Sequence, residues 1–297
     1  MGNTNLKKKR MGCLGKFLII LLIIAIPVII LVVDSNTRLV KTEIELSYEN
    51  LPDAFDGYRI VLLADLHGAE HGENNEQLVE MIKDANPDII AIAGDLIDRF
   101  QPGRPVEKQI EIAEILIHQL VRIAPVYYVT GNHEWDSGID RDERQRLFAM
   151  LEENDVDVLR NQFRRLTIGD DSIILAGIDD PGGPADMIKP DDFIESIWER
   201  ENPDFLVVMY HRNYNLRMFS ELGVDLVLSG HSHGGMIRLP LTDGLIGPQM
   251  DFLPTFTSGV YSRGNTNMVV TRGLGNHLGW TRFLNNPQVV VVELRVN

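Results

Sequence analysis

Eight polar residues of the kinds that bind metals or transfer protons follow apolar, strand-like runs in this sequence. They are Asp65, His67, Asp95, Asn132, His133, His211, His231 and His233. Neutral imidazoles, carboxylates and an amide oxygen are ligands that suit divalent first-row metals such as manganese, iron or zinc. The single cysteine, Cys13, is distant from all of them in the sequence, so the pattern is not that of a structural zinc site built on thiolates.

The number of these residues indicates two ions rather than one. A lone histidine after a strand is more often a structural hydrogen-bonding residue than a ligand, but burying five histidines and two aspartates without ions would be costly. Seven ligands exceed what one ion with an open coordination position can use, whereas two ions that share a carboxylate would use them well. Asp65 with His67, and His231 with His233, are spaced to lie on one side of an extended backbone.

Apolar runs and helical patterns alternate along most of the chain and must position these residues. The runs that indicate buried strands are 59–64, 89–93, 126–130, 173–176, 205–210 and 226–229, and the helical patterns are 75–85, 106–122, 140–154 and 191–201. This alternation predicts an α/β domain with a mainly parallel sheet that binds ligands beyond the carboxyl ends of its strands. The late runs 267–271 and 289–296 have no long helix between them, so we expect antiparallel additions and a second sheet.

The first 33 residues differ from the rest and indicate a membrane anchor. Five cations and no acidic residue precede an uninterrupted apolar run over 17–33. With its lead-in from Leu14, this run approaches the ~30 Å hydrocarbon thickness of a bilayer at ~1.5 Å per residue. A cleaved signal peptide is the competing interpretation, but its apolar region is usually ~7–15 residues long and ends in a small-residue site. We therefore expect a cytoplasmic N-terminus over 1–13, a transmembrane anchor over 14–33, and one extracytoplasmic domain over 34–297.

The acidic excess of the chain argues against nucleic acid as a partner and limits how the chain could bind a phosphate substrate. The chain of 297 residues has 28 basic and 43 acidic residues, and removal of the five N-terminal cations leaves 23 basic residues. A domain with this acidic excess is not expected to bind nucleic acid. An enzyme of this charge that acts on phosphates must supply local positive charge, which metal ions would do.

Five ordered motifs resemble those of the calcineurin-like metallophosphoesterases. The motifs are Asp65-Leu66-His67, Gly94-Asp95-Leu96-Ile97-Asp98, Gly131-Asn132-His133-Glu134, His211, and Gly230-His231-Ser232-His233. The segments 234–240 and 273–275 resemble more narrowly a membrane-anchored bacterial phosphodiesterase branch. Arg212-Asn213-Tyr214 departs from the family pattern, which often has a proline after the histidine.

The resemblance implies a fold and a role for each motif residue. The fold is a sandwich of two mixed β-sheets flanked by helices. Asp65, His67, Asp95 and His233 are expected to hold one metal, and Asp95, Asn132, His211 and His231 the other. Asp95 and a hydroxide would bridge the two metals, and the hydroxide would attack phosphorus. His133 is expected to stabilise the transition state and protonate the leaving oxygen without binding metal.

The expected activity is hydrolysis of a phosphodiester or pyrophosphate at the membrane surface. By analogy with the branch, the substrate is lipid-linked, with UDP-2,3-diacylglucosamine as one candidate. A phosphomonoesterase and a non-catalytic metal-binding scaffold are the alternatives, and oligomeric state is left open.

Other residues near the motifs have less specific expectations. Asp98 and Glu134 are expected to support the ligands. His71 is expected to be a solvated loop residue, with a substrate contact at the mouth of the site as the alternative. His118 is expected to be structural, and His277 could contact substrate. Met250, Phe252, Leu253, Phe256 and Tyr261 could form an apolar lip towards a lipid, or could simply pack.

Overall fold

The computed structural model describes residues 12–99, 101, 103–184, 187–239, 242–248, 250–276 and 281–297. The basic residues 7–10 and His277 lie outside the described residues. The helices are α1 (Cys13–Thr37), α2 (Glu76–Asp84), α3 (Val106–Leu120), α4 (Arg141–Glu153), α5 (Pro190–Glu201) and α6 (Leu216–Glu221). The strands are β1 (Val40–Tyr48), β2 (Arg59–Leu63), β3 (Ile89–Ala93), β4 (Val126–Val129), β5 (Asp157–Val158), β6 (Gln162–Ile168), β7 (Asp171–Ile178), β8 (Leu206–Tyr210), β9 (Leu226–Ser229), β10 (Ile237–Arg238), β11 (Gly244–Ile246), β12 (Gly259–Arg263), β13 (Thr266–Val270) and β14 (Gln288–Val296).

Two six-stranded mixed sheets form a sandwich, which confirms the expected fold class. The first sheet has the order β1-β14-β2-β3-β4-β5, and the second has the order β12-β13-β9-β8-β7-β6. β10 and β11 form a separate two-stranded sheet. Within the sandwich, β2, β3 and β4 are parallel neighbours, as are β7, β8 and β9.

The central strands are apolar throughout because both of their faces are buried. In β2, Ile60 and Leu62 pack in the core between the two sheets, whereas Val61 and Leu63 pack on the outer side under α2 and α3. The second sheet has the same arrangement, with α5 and α6 covering its outer face. Each fully buried aliphatic side chain contributes about 1.5–3 kcal/mol, so these layers fix the ends of the strands firmly.

The two late strands only partly match the expectation of antiparallel additions. β14 pairs antiparallel with β2 but parallel with β1. β13 pairs parallel with β9, and its antiparallel partner is β12. A parallel neighbour requires a crossover of a dozen or more residues, and the chain between β9 and β13, which contains β10, β11 and β12, provides one. Each late strand therefore has one antiparallel and one parallel neighbour, and the two strands belong to different sheets.

α1 is the one helix in the described part of the chain that is long and apolar enough to cross a membrane. It extends over 25 residues, beyond the apolar run that ends at Val33. Its side chains are exposed along that run, but Ser35 in the last turn is buried. The last turn therefore belongs to the folded domain rather than to the exposed rod.

Candidate metal centre

The predicted ligands lie on loops that follow the carboxyl ends of β2, β3, β4, β8 and β9. Backbone hydrogen bonds join these loops directly to one another. The Asp65 N–H donates to the Gly94 carbonyl at 3.0 Å, and the His67 N–H donates to the Asp95 carbonyl at 3.1 Å. In the second sheet, the Gly230 N–H donates to the His211 carbonyl at 3.0 Å. Between the sheets, His211 Nδ1 lies 2.6 Å from the Ala93 carbonyl, so loops from both sheets meet at one edge of the sandwich, as the sequence predicts.

One cluster of potential ligands contains Asp65, His67 and His233, which are all buried. His67 Nε2 and His233 Nε2 lie 3.1 Å apart. His233 Nε2 also lies 3.5 Å from Asp65 Oδ1. Three potential ligand atoms from two distant parts of the chain therefore face one small volume.

A second cluster contains Asp95, His211 and His231. His211 Nε2 lies 3.1 Å from Asp95 Oδ2 and 3.2 Å from His231 Nδ1. Asn132 Oδ1 lies 3.2 Å from the same His211 nitrogen. The predicted amide ligand is therefore part of this cluster.

Asp95 faces both clusters. Its Oδ2 atom lies 3.1 Å from His211 Nε2 and 3.8 Å from His67 Nε2. His133 lies on the same side, with its Nε2 atom 3.9 Å from Asp95 Oδ2. His67, Asp95 and His133 consequently form a third group with metal-ligand spacing. His133 is thus adjacent to the potential ligands.

The separations of these atoms fit divalent cations. Neighbouring ligand atoms bound about 2.0–2.2 Å from one ion lie about 3.0–3.5 Å from each other in tetrahedral or octahedral coordination. His67 and His233, at 3.1 Å, and His233 and Asp65, at 3.5 Å, match this spacing. The donors are imidazole nitrogens and carboxylate or amide oxygens, which suit first-row divalent metals.

Five of the potential ligands have a left-handed backbone conformation. The φ angles are 54° at Asp65, 47° at His67, 56° at Asp95, 70° at His231 and 48° at His233. The expectation that Asp-x-His and His-x-His use an extended strand backbone was wrong, because β2 ends at Leu63 and β9 ends at Ser229. Each such conformation costs of order 1–3 kcal/mol and persists only where the surroundings hold it.

Two glycines allow the loops after β3 and β4 to approach each other. A Cβ atom at Gly131 would lie 2.1 Å from Asp95 Oδ1, and one at Gly94 would lie 2.4 Å from the Gly131 nitrogen. Gly94 also has a φ of 81°. A side chain at Gly131 would displace Asp95, and one at Gly94 would displace the Gly131 backbone.

The charged groups of the centre shift one another's pKa values. Burial raises the pKa of the Asp65 carboxyl to about 7. At Asp95, burial is outweighed by positive charge on His211 and His133, which holds the pKa of this carboxyl well below its usual range. Burial lowers the pKa of His211, but the Asp95 and Asp65 carboxylates outweigh it and raise that pKa to about 10. Imidazolium charge thus supports the buried carboxylates, a role that bound cations would fill.

Glu134 and Asp98 support the potential ligands, in agreement with expectation. The buried Glu134 carboxylate accepts hydrogen bonds from the backbone N–H groups of Asp95, Leu96 and Gly131, at 3.0, 2.8 and 2.7 Å. Asp98 lies 3.8 Å from His67 Nδ1 and 3.3 Å from His133 Nδ1. Glu134 therefore fixes the loops, whereas Asp98 faces two histidine rings.

Sequence reasoning missed a supporting segment after β13. Arg282 is fully buried, with Nε donating to Asn276 Oδ1 at 2.9 Å and Nη2 lying 3.5 Å from His233 Nδ1. The Asn285 side chain donates to the His233 carbonyl at 2.7 Å. Apart from the short 273–275 motif, the sequence has no periodic pattern here that could have revealed these contacts.

His71 is buried, so its interpretation as a solvated loop residue was wrong. Only 5% of this residue is exposed, and its Nε2 lies 3.1 Å from the Leu274 carbonyl. Burial lowers its pKa to about 4. His118, by contrast, is exposed on α3.

Arg212, which departs from the family pattern, forms a bidentate ion pair with buried Asp180 at 2.7 and 2.9 Å.

A pocket of about 210 Å³ adjoins the centre. His67 forms one wall, and Asn36, from the last turn of α1, forms another. His71, Arg104 and Asn276 are among the other lining residues. The pocket therefore connects the metal-ligand cluster with the end of the apolar helix.

The chain is similar to proteins described as metallophosphoesterases. The family model described as calcineurin-like phosphoesterase matches residues 58–235. An uncharacterised metallophosphoesterase of Bacillus subtilis, YkuE, is 27% identical over 260 residues, which cover 86% of this chain and 85% of the relative. A Danio rerio transmembrane protein with a metallophosphoesterase domain is 28% identical over 268 residues, which cover 85% of this chain and 56% of the relative. Among solved structures, TT1561 of Thermus thermophilus is similar with a TM-score of 0.43 and 18% identity, covering 73% of this chain and 90% of that one.

Proposed function

Because the chain belongs to the calcineurin-like phosphoesterase family, we propose that it hydrolyses a phosphodiester or pyrophosphate at a membrane surface with two divalent cations. Metal-dependent phosphoester hydrolysis follows from the family and from the names of the relatives. The observation that supports the more specific proposal is the position of Asp95, whose carboxylate faces one histidine of each cluster. A shared carboxylate is the arrangement that two adjacent ions require.

The donor set divides into two groups around Asp95. Asp65, His67, Asp95 and His233 would hold one cation, and Asp95, Asn132, His211 and His231 would hold the other. Bound divalent cations would supply positive charge that stabilises the phosphoryl oxygens of the transition state and activates water as the nucleophile. Manganese, iron and zinc all suit these ligands.

His133 is proposed as the proton donor to the leaving oxygen. Its Nδ1 atom lies 3.3 Å from Asp98 Oδ1, and its Nε2 atom lies 3.9 Å from Asp95 Oδ2. A carboxylate that accepts from one ring nitrogen orients the ring and leaves the other nitrogen for proton transfer. The His133 side chain is 10% exposed, whereas those of His67 and His211 are fully buried, so His133 is the most solvent-accessible of these three histidines.

The position of α1 supports a substrate held at the bilayer. Asn36 lines the pocket beside the centre and lies three residues after the end of the apolar run. A substrate in this pocket would therefore be near the membrane end of α1. We propose an extracytoplasmic domain, from the basic residues that precede the helix, and a lipid-linked substrate, of which UDP-2,3-diacylglucosamine is one candidate.

The proposal is tested with the purified full chain in detergent or nanodiscs after removal of metal with a chelator. Manganese, iron or zinc is then added with bis(p-nitrophenyl) phosphate, p-nitrophenyl phosphate or a lipid pyrophosphate as substrate. We expect metal-dependent hydrolysis with higher kcat/KM for the diester or pyrophosphate than for the monoester. A preference for the monoester would favour the alternative, a phosphomonoesterase, and no hydrolysis with any metal would reject catalysis.

A further inference from the structure

Three large apolar side chains are exposed together on the loop that follows β11. The exposed fractions are 63% for Met250, 71% for Phe252 and 58% for Leu253. Among the described residues outside α1, these are the three most exposed large apolar side chains. We call them the apolar tip. Contiguous exposed apolar residues of this kind mark contacts with a membrane or another protein.

The exposure of the apolar tip comes from a folded turn. The Gly247 N–H donates to the Asp251 carbonyl at 2.8 Å, and the Met250 N–H donates to the Gly247 carbonyl at 3.0 Å. The Leu253 N–H donates to the Leu245 carbonyl at 3.0 Å. These bonds hold the backbone of the turn, so the three side chains are exposed in the folded state.

Two other aromatic residues considered for an apolar lip do not belong to this surface. The rings of Phe256 and Tyr261 pack edge to face with their centroids 4.9 Å apart. Both pack against the core beneath α5 and α6. Ordinary packing therefore explains Phe256 and Tyr261, but not the apolar tip.

A short chain of contacts connects the apolar tip to the end of α1. Asn36 donates from Nδ2 to the Arg282 carbonyl at 2.9 Å. Phe283, the next residue, bridges to β10, which pairs with β11. Ile246 in β11 bridges in turn to Phe252. Three steps of ~4.8 Å, the usual spacing between strands, place the tip about 15 Å from the segment that binds α1.

We propose that the apolar tip inserts into the lipid bilayer beside α1 and forms a second membrane contact of this chain. The proposal rests on the membrane anchoring in the proposed function. Of the neighbouring acidic residues, Asp243 pairs with Arg238 at 3.6 Å, and the charge of Asp251 disfavours attraction to anionic lipid headgroups. The contact is therefore apolar, and a bilayer of neutral phosphatidylcholine is sufficient for it.

The experiment measures the depth of spin labels on the full chain in phosphatidylcholine nanodiscs. The single native cysteine is removed with Cys13→Ser, and labels are attached in separate variants at Phe252→Cys and Met250→Cys. Ile24→Cys in α1 serves as the membrane reference. Ile168→Cys, on β6 at an edge of the second sheet and 38% exposed, serves as the aqueous reference.

We expect both tip labels to have a several-fold higher ratio of oxygen to nickel-chelate accessibility than the Ile168 label. A ratio at both tip positions equal to that at Ile168 would overturn the proposal. If the tip labels have the same accessibility ratio as the Ile168 label and also show dipolar coupling between two copies of the chain, the tip would instead be a dimer contact. An aqueous ratio at Ile24 would reject the anchor and this proposal together. Because the readout is independent of hydrolysis, inserted but inactive protein would reject only the proposed function.

Discussion

Replacement of Glu134 by glutamine tests whether this buried carboxylate holds the metal loops in place. Glu134 Oε2 accepts from the Asp95 and Gly131 N–H groups, and Oε1 accepts from the Leu96 N–H. In Glu134→Gln, the amide oxygen can retain the first two bonds, but the amide NH₂ then faces the Leu96 N–H, which is left unsatisfied. The two remaining bonds also lose their ionic character.

The loss can be given a magnitude. A hydrogen bond to a charged group contributes about 1.5–3 kcal/mol, and an unsatisfied buried donor costs about 1–3 kcal/mol. We therefore expect Glu134→Gln to lower the free energy of unfolding by about 3 kcal/mol, or Tm by about 6–12 °C for a domain of this size. Since Glu134 fixes the Asp95 backbone, metal affinity should fall by about 10–100-fold, as is usual when groups that support ligands are changed.

The assay compares thermal unfolding in chelator, followed by near-ultraviolet circular dichroism, with metal affinity measured by titration. Glu143→Gln is the matched control, because Glu143 is only half-buried and accepts from the Asp140 N–H in the capping box of α4, far from the metal loops in the sequence. Glutamine is accepted in that motif, so Tm and metal affinity should change little. If Glu134→Gln behaves like Glu143→Gln in both measurements, our account of the loop geometry is wrong.

Four further predictions concern the centre and the anchor. His133→Ala should retain bound metal in elemental analysis while kcat falls about 10²–10⁴-fold, the usual contribution of a general acid; loss of metal would show that His133 is a ligand. Asp95→Asn should deplete both cations, and retention of two per chain would count against a shared carboxylate. Gly131→Ala should abolish metal binding, because its Cβ atom would lie 2.1 Å from Asp95 Oδ1; an active variant would contradict this close approach. Deletion of residues up to Val33 should release an active domain that no longer sediments with membranes, and a folded but inactive product would indicate that α1 contributes to catalysis.

Much of the fold was predictable because the central strands are buried on both faces. β2, β3, β8 and β9 are short apolar runs that end in polar motif residues, and the sequence pattern places them to within one residue at either end. β1 was missed because its polar and apolar residues alternate, as in a half-buried strand, whereas the predicted strands were identified from continuous apolar runs. β6 and β12 are exposed edge strands with polar residues, and they lack the continuous apolar pattern that identifies central strands.

The membership of the candidate site was also predictable, but its local geometry was not. Every predicted ligand lies in or beside one of the two main clusters. Residue types alone, however, do not reveal positive φ angles at Asp65 or His231, because these depend on tertiary contacts that hold strained backbone in place. The burial of His71 and Arg282 arises from the segment after β13, which is remote in sequence from both β2 and the motif histidines.

The connection between α1 and β1 has a consequence for how the enzyme meets its substrate. α1 ends at Thr37 and β1 begins at Val40, and Arg38 is held by Asp34 within this short connection. With α1 in a bilayer, the domain has no flexible tether on which to swing outward. The domain then diffuses only laterally, in the plane of the membrane. It stays within a layer about as thick as the domain itself, whose radius of gyration is about 18 Å. A molecule anchored in the same membrane would be concentrated within this layer, whereas a molecule dissolved in the bulk solution would gain no such concentration.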